Sequence, residues 1–169
     1  VGCLYCVDHS RVGGVSDPRR FYELNIPLKP MRSGKLIVLC APSELGCYAT
    51  PYDKLTPKEW VECITAYIQR LGLRKPIVVT HKQGGRHTLM DVIHDADLVI
   101  GCSSNTVIDA LAHGVGATDL APWLPNTFSH VQTLREWETE RFNYFTDLAH
   151  RQMKLSEFNE TVQRINEMI

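Results

Sequence analysis

The 169-residue sequence has almost no excess charge of either sign, no long hydrophobic run and no basic, apolar leader. Lysine and arginine number 18 against 19 acidic residues, a net charge of −1, whereas a general nucleic-acid binder normally carries a basic excess. The longest apolar run, residues 36–41, is far shorter than the roughly 20 residues of a membrane-spanning helix. The sequence therefore predicts a cytoplasmic protein without a membrane span. A local basic pocket stays compatible with this balance, so a nucleic-acid acceptor is not supported but stays open.

The six cysteines are spread along the chain and do not form a metal-binding pattern. Cys3 and Cys6 form one Cys-x-x-Cys pair, but no second pair follows at the spacing of a zinc site. Three disulfides are the alternative, yet a chain of this length buries enough surface to fold without them and carries no export signal. We therefore expect free thiols and no bound metal.

Apolar runs alternate with helix signals through the middle of the chain. Strands are predicted at residues 35–40, 76–80, 96–101 and 115–118. The intervening helices are predicted to begin at Thr56, where Thr56-Pro57-x-Glu59 is a capping box, and at Thr88 and Thr106. This series predicts an α/β fold, a Rossmann-like parallel sheet with flanking helices.

The two ends of the chain are predicted to complete one domain over residues 1–169. Residues 1–34 would supply a first strand, at 3–8, and a polar loop. Residues 133–169 look helical almost throughout and are predicted to form two helices, divided near residues 154–156, that pack on the sheet.

Polar loops follow four of the predicted strands, beginning at Asp8, Ala41, His81 and Gly101. Ligands of an open parallel sheet bind at the carboxyl ends of its strands, where the following helices direct their amino termini. The fourth loop, Gly101-Cys102-Ser103-Ser104-Asn105-Thr106, leads straight into a helix whose free N–H groups and hydroxyls can bind an anion such as phosphate. The alternative is that one hydroxyl merely caps the helix, with Thr106-x-x-Asp109 as an ordinary capping box.

Two other loops carry ionisable side chains. Lys82 and Arg86 follow His81 and would complement a diphosphate by charge and forked hydrogen bonds, although a solvated turn is the alternative. Asp8 and His9 form a candidate general-base pair for deprotonating a hydroxyl, against the alternative of an aspartate that makes a turn.

The segment that begins at Gly101, Gly-Cys-Ser-Ser-Asn-Thr-Val-Ile-Asp-Ala-Leu-Ala-His-Gly-Val, resembles the (Ser/His)-Ser-Ser-Asn-x-x-x-(Asp/Glu)-Ala-Leu-x-x-Gly-(Val/Lys)-Pro element of GT-B glycosyltransferases. That element occurs in capsule polysaccharide biosynthesis proteins and in small, often phage-encoded glycosyltransferase-like proteins. Gly116 stands where the family usually has the proline. Further similar stretches lie at Pro30-Met31-Arg32, at 41–44, at 76–82 and at Arg135-Glu136-Trp137, so the resemblance extends from about residue 8 to residue 157.

The resemblance implies a site for a nucleotide-activated sugar. Ser103, Ser104, Asn105 and Thr106 would hold its diphosphate, which Lys82 and Arg86 would neutralise. Asp109 would lie near the nucleotide ribose or the loop. Beside what the resemblance implies, Ser43 and His81 join the predicted binding set because they follow predicted strands, and Asp8 or His9 is the candidate catalytic base. The nucleotide sugar is then a substrate, and no separate cofactor is implied.

The resemblance also bears on partners and on the reaction. GT-B glycosyltransferases enclose donor and acceptor between two Rossmann-like domains, so we expect a homodimer or a second chain to complete the cleft. The expected activity is transfer of the sugar to a hydroxyl acceptor. Two alternatives are a non-catalytic nucleotide-binding module, such as a phage factor that sequesters a nucleotide or docks on a host protein, and a sugar-nucleotide epimerase-like domain.

Overall fold

A computed structural model describes residues 3–5, 17–44, 47, 55–81, 87–102, 105–119, 134–150 and 152–154. The chain divides into two compact units: residues 27–140 form one, and residues 1–26 together with 141–169 form the other. The prediction of a single domain over residues 1–169 stays a prediction.

The larger unit is built on a parallel sheet of four strands. These are β2 (Leu36–Cys40), β3 (Ile77–Thr80), β4 (Ala96–Gly101) and β5 (Gly116–Asp119), and they lie in the order β3-β2-β4-β5. All three strand pairings are parallel. Helices α2 (Pro57–Arg70), α3 (Leu89–Val92) and α4 (Asn105–Ala112) connect these strands, a 3-10 turn (Ile93–Asp95) following α3. The predicted α/β, Rossmann-like fold is confirmed.

The centre of the sheet is the apolar run that the sequence singles out. Ile37, Val38 and Leu39 are at most 2% exposed, because β2 has a hydrogen-bonded strand on each side and its faces are covered. Val99 and Ile100 of β4 lie opposite Val38 and Leu39 and are buried as well. A strand buried in this way has no solvent-facing positions, which explains why its sequence is continuously apolar rather than alternating.

Helix α2 begins at the predicted capping box. The Thr56 hydroxyl accepts from the Glu59 backbone N–H at 3.3 Å, and the Thr56 N–H donates to the Glu59 carboxylate at 2.7 Å. Trp60 and Ile68 are buried in a core cluster with Ile37 and Ile100. Two further apolar residues at the same helical spacing, Tyr67 and Leu71, are 53% and 57% exposed.

A left-handed glycine ends α4 and lies against a neighbouring segment. Gly114 has a φ of 74°, and its N–H donates to the Leu111 carbonyl while the Val115 N–H donates to the Ala110 carbonyl. Residues 29–32, which we call the strap, run beside it: the Lys29 N–H donates to the Ala112 carbonyl and the Arg32 N–H to the Gly114 carbonyl, each at 2.9 Å. The strap thereby satisfies carbonyl groups at the carboxyl end of α4.

The smaller unit corrects two expectations. Strand β1 (Cys3–Tyr5) pairs antiparallel with β6 (Gln152–Lys154), not with the four-stranded sheet that the sequence predicted it to join. Helix α5 (Leu134–His150) agrees with the first of the two predicted helices, but residues 152–154 form strand β6 where a helix was expected. The local sequence suits a helix here, but pairing with a strand about 150 residues away overrides that local preference. The second predicted helix lies outside the described residues. In the same unit, Phe21 of α1 (Arg19–Leu24) packs edge-on against Phe142, with the two ring centroids 5.3 Å apart.

Candidate functional site

A cleft of about 420 Å³ opens at the carboxyl edge of the parallel sheet. Its volume lies within the range of about 300 to 1,000 Å³ that is usual for small-molecule sites. The described residues that line it are Cys40, Ala41, Pro42, Ser43, Thr80, His81, Thr88, Leu89, Met90, Cys102, Asn105, Thr106 and Asp109.

The strand order places this cleft where the chain reverses direction across the sheet. From β2 the chain moves outward to β3 and then crosses back to β4 on the other side of β2. The loops that follow β2 and β4 therefore diverge, and the crevice between them is the usual ligand site of an open α/β sheet. Residues 40–43 come from the first loop, and Cys102 and Asn105 from the second.

Five candidate residues from three separate segments line this one cleft: Ser43, His81, Asn105, Thr106 and Asp109. Ser43 follows β2, His81 follows β3, and the three residues of α4 follow β4, as their positions in the sequence predict. Six further candidates, Asp8, His9, Lys82, Arg86, Ser103 and Ser104, lie outside the described residues. Strand β1 pairs with β6 and not with the parallel sheet, so the expectation that the strand before Asp8 belongs to that sheet was wrong.

The amino end of α4 forms one wall of the cleft. The structure describes the helix from Asn105 onward, so Thr106 lies within the helix rather than capping it. The first backbone N–H groups of a helix have no partner within the helix, and the helix dipole adds about 0.3 to 1 kcal/mol of attraction for an anion at this end. Eight helical residues follow one another from Asn105, and Val107, Ala110 and Leu111 anchor the opposite face in the core.

The ionisable groups of the described lining differ in character. Partial burial raises the pKa of the Asp109 carboxyl above its ordinary value, while the charge of His113 acts in the opposite direction. The Asp109 side chain nevertheless keeps access to solvent. His113 is held through its Nδ1 atom, 2.9 Å from the Asp109 backbone oxygen. His81 is exposed at the end of β3, immediately before Lys82.

Several lining residues were not among the candidates predicted from the sequence. Cys40 and Thr80 end neighbouring strands, and the buried Thr80 hydroxyl lies 3.4 Å from the Cys40 sulfur and 3.5 Å from the Leu39 carbonyl oxygen. Their position as the last residues of buried strands is a signal from which they could have been found. Leu89 and Met90 had no such signal, because the sequence offers them only as apolar residues of a short helix.

A second concavity, of about 550 Å³, lies between the end of α2 and the beginning of β3. Its lining includes Gly72, Leu73 and Lys75 but none of the candidate residues. Lys75 there is engaged in an ion pair with Asp97. It lies at the amino end of β3, away from the edge to which the helix amino termini point, so we place the candidate site in the smaller cleft.

Among the described residues, no group of three or more histidine, cysteine or acidic side chains is arranged to hold a metal ion. No helix in the described part of the chain is both long and apolar enough to cross a membrane. A scan against protein-family models, a search of curated proteins and a search of solved structures each returned no match to this chain.

Proposed function

We propose that this protein binds a nucleotide-activated sugar through its diphosphate in the cleft at the carboxyl edge of the sheet, and transfers the sugar to a hydroxyl acceptor. The observation that carries the proposal is the convergence of Ser43, His81, Asn105, Thr106 and Asp109 on one cleft. All five belong to the set of residues predicted from the sequence to bind the nucleotide sugar.

The cleft offers suitable partners for a diphosphate. Ser43 and Thr106 carry hydroxyl groups, Asn105 carries an amide, and the α4 amino terminus presents backbone N–H groups. The β3 loop brings His81 and, beyond it, the cations Lys82 and Arg86 into the same segment of sequence. Such donors stabilise a diphosphate most strongly when it departs, because its negative charge then increases.

Asp109 is the proposed hydrogen-bond partner for hydroxyl groups of the sugar or the ribose. A carboxylate accepts hydrogen bonds from hydroxyl groups and repels phosphate, so its place within the cleft favours a ligand that carries both groups. It lies about one helical turn beyond Asn105, far enough along α4 to leave the amino terminus to the diphosphate.

In the proposed reaction the bond between the anomeric carbon and the diphosphate oxygen breaks, and the diphosphate leaves with the electron pair. The acceptor oxygen bonds to the anomeric carbon, and a base receives the acceptor proton. We assign that base to Asp8 or His9, and the enclosure of the acceptor to a second copy of the chain or to another protein. Cleft residues contribute mainly by positioning the donor and stabilising the leaving group.

Calorimetric titration with uridine and guanosine diphosphates tests the binding half of the proposal. We expect Asn105→Ala, Thr106→Val and Lys82→Ala each to weaken the affinity by about 1 to 3 kcal/mol, the range for hydrogen bonds to charged groups. Thr65→Val is the matched control, since Thr65 lies on α2 and does not line the cleft. Unchanged affinity in all three variants, with folding intact, would place the nucleotide site elsewhere.

Product analysis with the corresponding nucleotide sugars tests the chemical half. Transfer to an added hydroxyl acceptor is the expected result. Binding without turnover under any acceptor would leave a non-catalytic nucleotide-binding module, and release of an altered free sugar without an acceptor would indicate an epimerase-like reaction.

A further inference from the structure

The cleft has an apolar side that a diphosphate and a sugar do not need. Met90 lines the cleft and is 48% exposed, one of five large hydrophobic side chains with high exposure among the described residues. The other four, Tyr22, Tyr67, Leu71 and Leu73, do not line it. Pro42, from the loop after β2, is a further apolar contributor to the lining.

The fold holds Met90 in this position. The Thr88 N–H and hydroxyl both donate to the Asp91 carboxylate, at 2.7 and 2.8 Å, which fixes the first turn of α3. Leu89 anchors the same turn, because its side chain is buried. Met90 lies between these fixed residues, so its backbone is set in place while its side chain stays open to solvent.

This arrangement leaves an unbranched, polarisable and half-exposed side chain in a cleft that also carries polar side chains. A thioether packs favourably against aromatic rings, and an exposed methionine next to a polar cleft gains most from a flat apolar partner. The same lining carries Asn105, Thr106 and Asp109, which suit the phosphates and hydroxyls. A ligand that matches both sets of side chains has an anionic, hydroxyl-rich part and a flat aromatic part.

We propose that Met90, with Pro42, forms the subsite for the aromatic base of the nucleotide, the ring face packing against the methionine side chain. This inference rests on the proposed function, because it assigns one part of the same ligand. It further predicts that the protein distinguishes nucleoside diphosphates from inorganic pyrophosphate at the α3 turn, not at α4.

The test compares three ligands, uridine diphosphate, guanosine diphosphate and inorganic pyrophosphate, by calorimetric titration of the wild-type protein and of Met90 variants. We expect at least one nucleoside diphosphate to bind more tightly than pyrophosphate. Met90→Ala should weaken that nucleotide by about threefold to tenfold and leave pyrophosphate unchanged. Met90→Leu, which retains most of the apolar surface, should recover most of the loss.

The controls separate this inference from the function on which it rests. Leu73→Ala removes an exposed hydrophobic side chain outside the cleft and should change neither affinity. Equal weakening of pyrophosphate and nucleotide by Met90→Ala, or no weakening of either, would overturn the base subsite while Asn105→Ala still tests diphosphate binding. If Met90→Ala weakened only the binding of an alkyl or aryl glycoside acceptor, the apolar side chains of the cleft would be assigned to the acceptor. That result would likewise overturn the base subsite. If the α4 variants Asn105→Ala and Thr106→Val bound both ligands as tightly as the wild type, that result would instead refute the proposed function.

Discussion

Replacement of Gly114 by alanine should destabilise the larger unit far more than the same replacement at Gly72. Both glycines have a φ of 74°. An alanine at either position would have to adopt this left-handed backbone conformation, which costs about 1 to 2 kcal/mol. Alanine also stiffens the unfolded chain, which offsets about 0.4 to 1 kcal/mol of that cost. Each replacement therefore carries a common backbone cost of about 1 kcal/mol.

The surroundings of the two glycines differ. A methyl group at Gly72 would meet no atom within 4 Å, whereas at Gly114 it would collide with the Pro30 carbonyl oxygen and lie 2.9 Å from the Lys29 oxygen. Both contacts are with backbone, which cannot rotate aside. Overpacking of this kind costs about 1 to 3 kcal/mol, and displacement of the strap also weakens its hydrogen bonds to Ala112 and Gly114. We expect Gly114→Ala to cost about 2 to 5 kcal/mol in total.

Urea denaturation, monitored by far-ultraviolet circular dichroism, measures the free energy of unfolding of both variants. The denaturation midpoints are compared at constant slope. Gly34→Ala completes the set, because a methyl group there would collide with the Ala96 carbonyl although Gly34 lacks a left-handed φ. The expected ranking places Gly72→Ala nearest the wild type and Gly114→Ala furthest from it. Equal losses for Gly72→Ala and Gly114→Ala would refute the idea that the strap makes a glycine necessary at position 114.

Two further predictions concern α2 and the cleft. Thr56→Ala should lower the free energy of unfolding by about 1 kcal/mol through loss of the helix cap, while Thr56→Ser should restore it; equal stability of the two variants in urea would contradict the capping role. Burial raises the pKa of Asp109 in the folded protein. The protonated carboxyl therefore favours folding below the ordinary aspartate pKa of about 4, and that contribution is lost as the pH rises through the higher pKa of the folded protein. Asp109→Asn should therefore have a melting temperature at pH 7 no lower than that of the wild type, with any gain disappearing toward pH 4; a lower value at pH 7 would show that the carboxylate stabilises the fold.

The parts of the fold that were predictable are those set by neighbouring residues. The Thr56 capping box fixes where α2 begins, and the apolar runs at 36–41 and 96–101 coincide with the two central strands. The positions of the cleft residues followed from one rule, that ligands bind at the carboxyl ends of parallel strands, and this rule brought Ser43, His81 and Asn105 together correctly.

The parts that were missed depend on distant partners. The Gln152–Lys154 strand owes its conformation to Cys3–Tyr5, and nothing in its own composition marks it as extended. Thr106 was a candidate cap because Thr-x-x-Asp is a capping pattern, but it lies inside the described helix, Asn105–Ala112. Met90 was overlooked because its role depends on which side of α3 faces the cleft, and a four-residue helix is too short to show a periodicity.

The pairing of β1 with β6 has a consequence for the order in which the protein forms during synthesis. The larger unit is one continuous stretch, residues 27–140, and every strand of its sheet is available once that stretch has left the ribosome. The two-stranded sheet joins Cys3–Tyr5 to Gln152–Lys154, so its first strand must wait until all of the intervening chain has been made. Closing so long a loop is entropically cheaper once the chain between its ends is already compact. The cleft-bearing unit is therefore expected to fold first, while the β1 segment remains unpaired on the nascent chain.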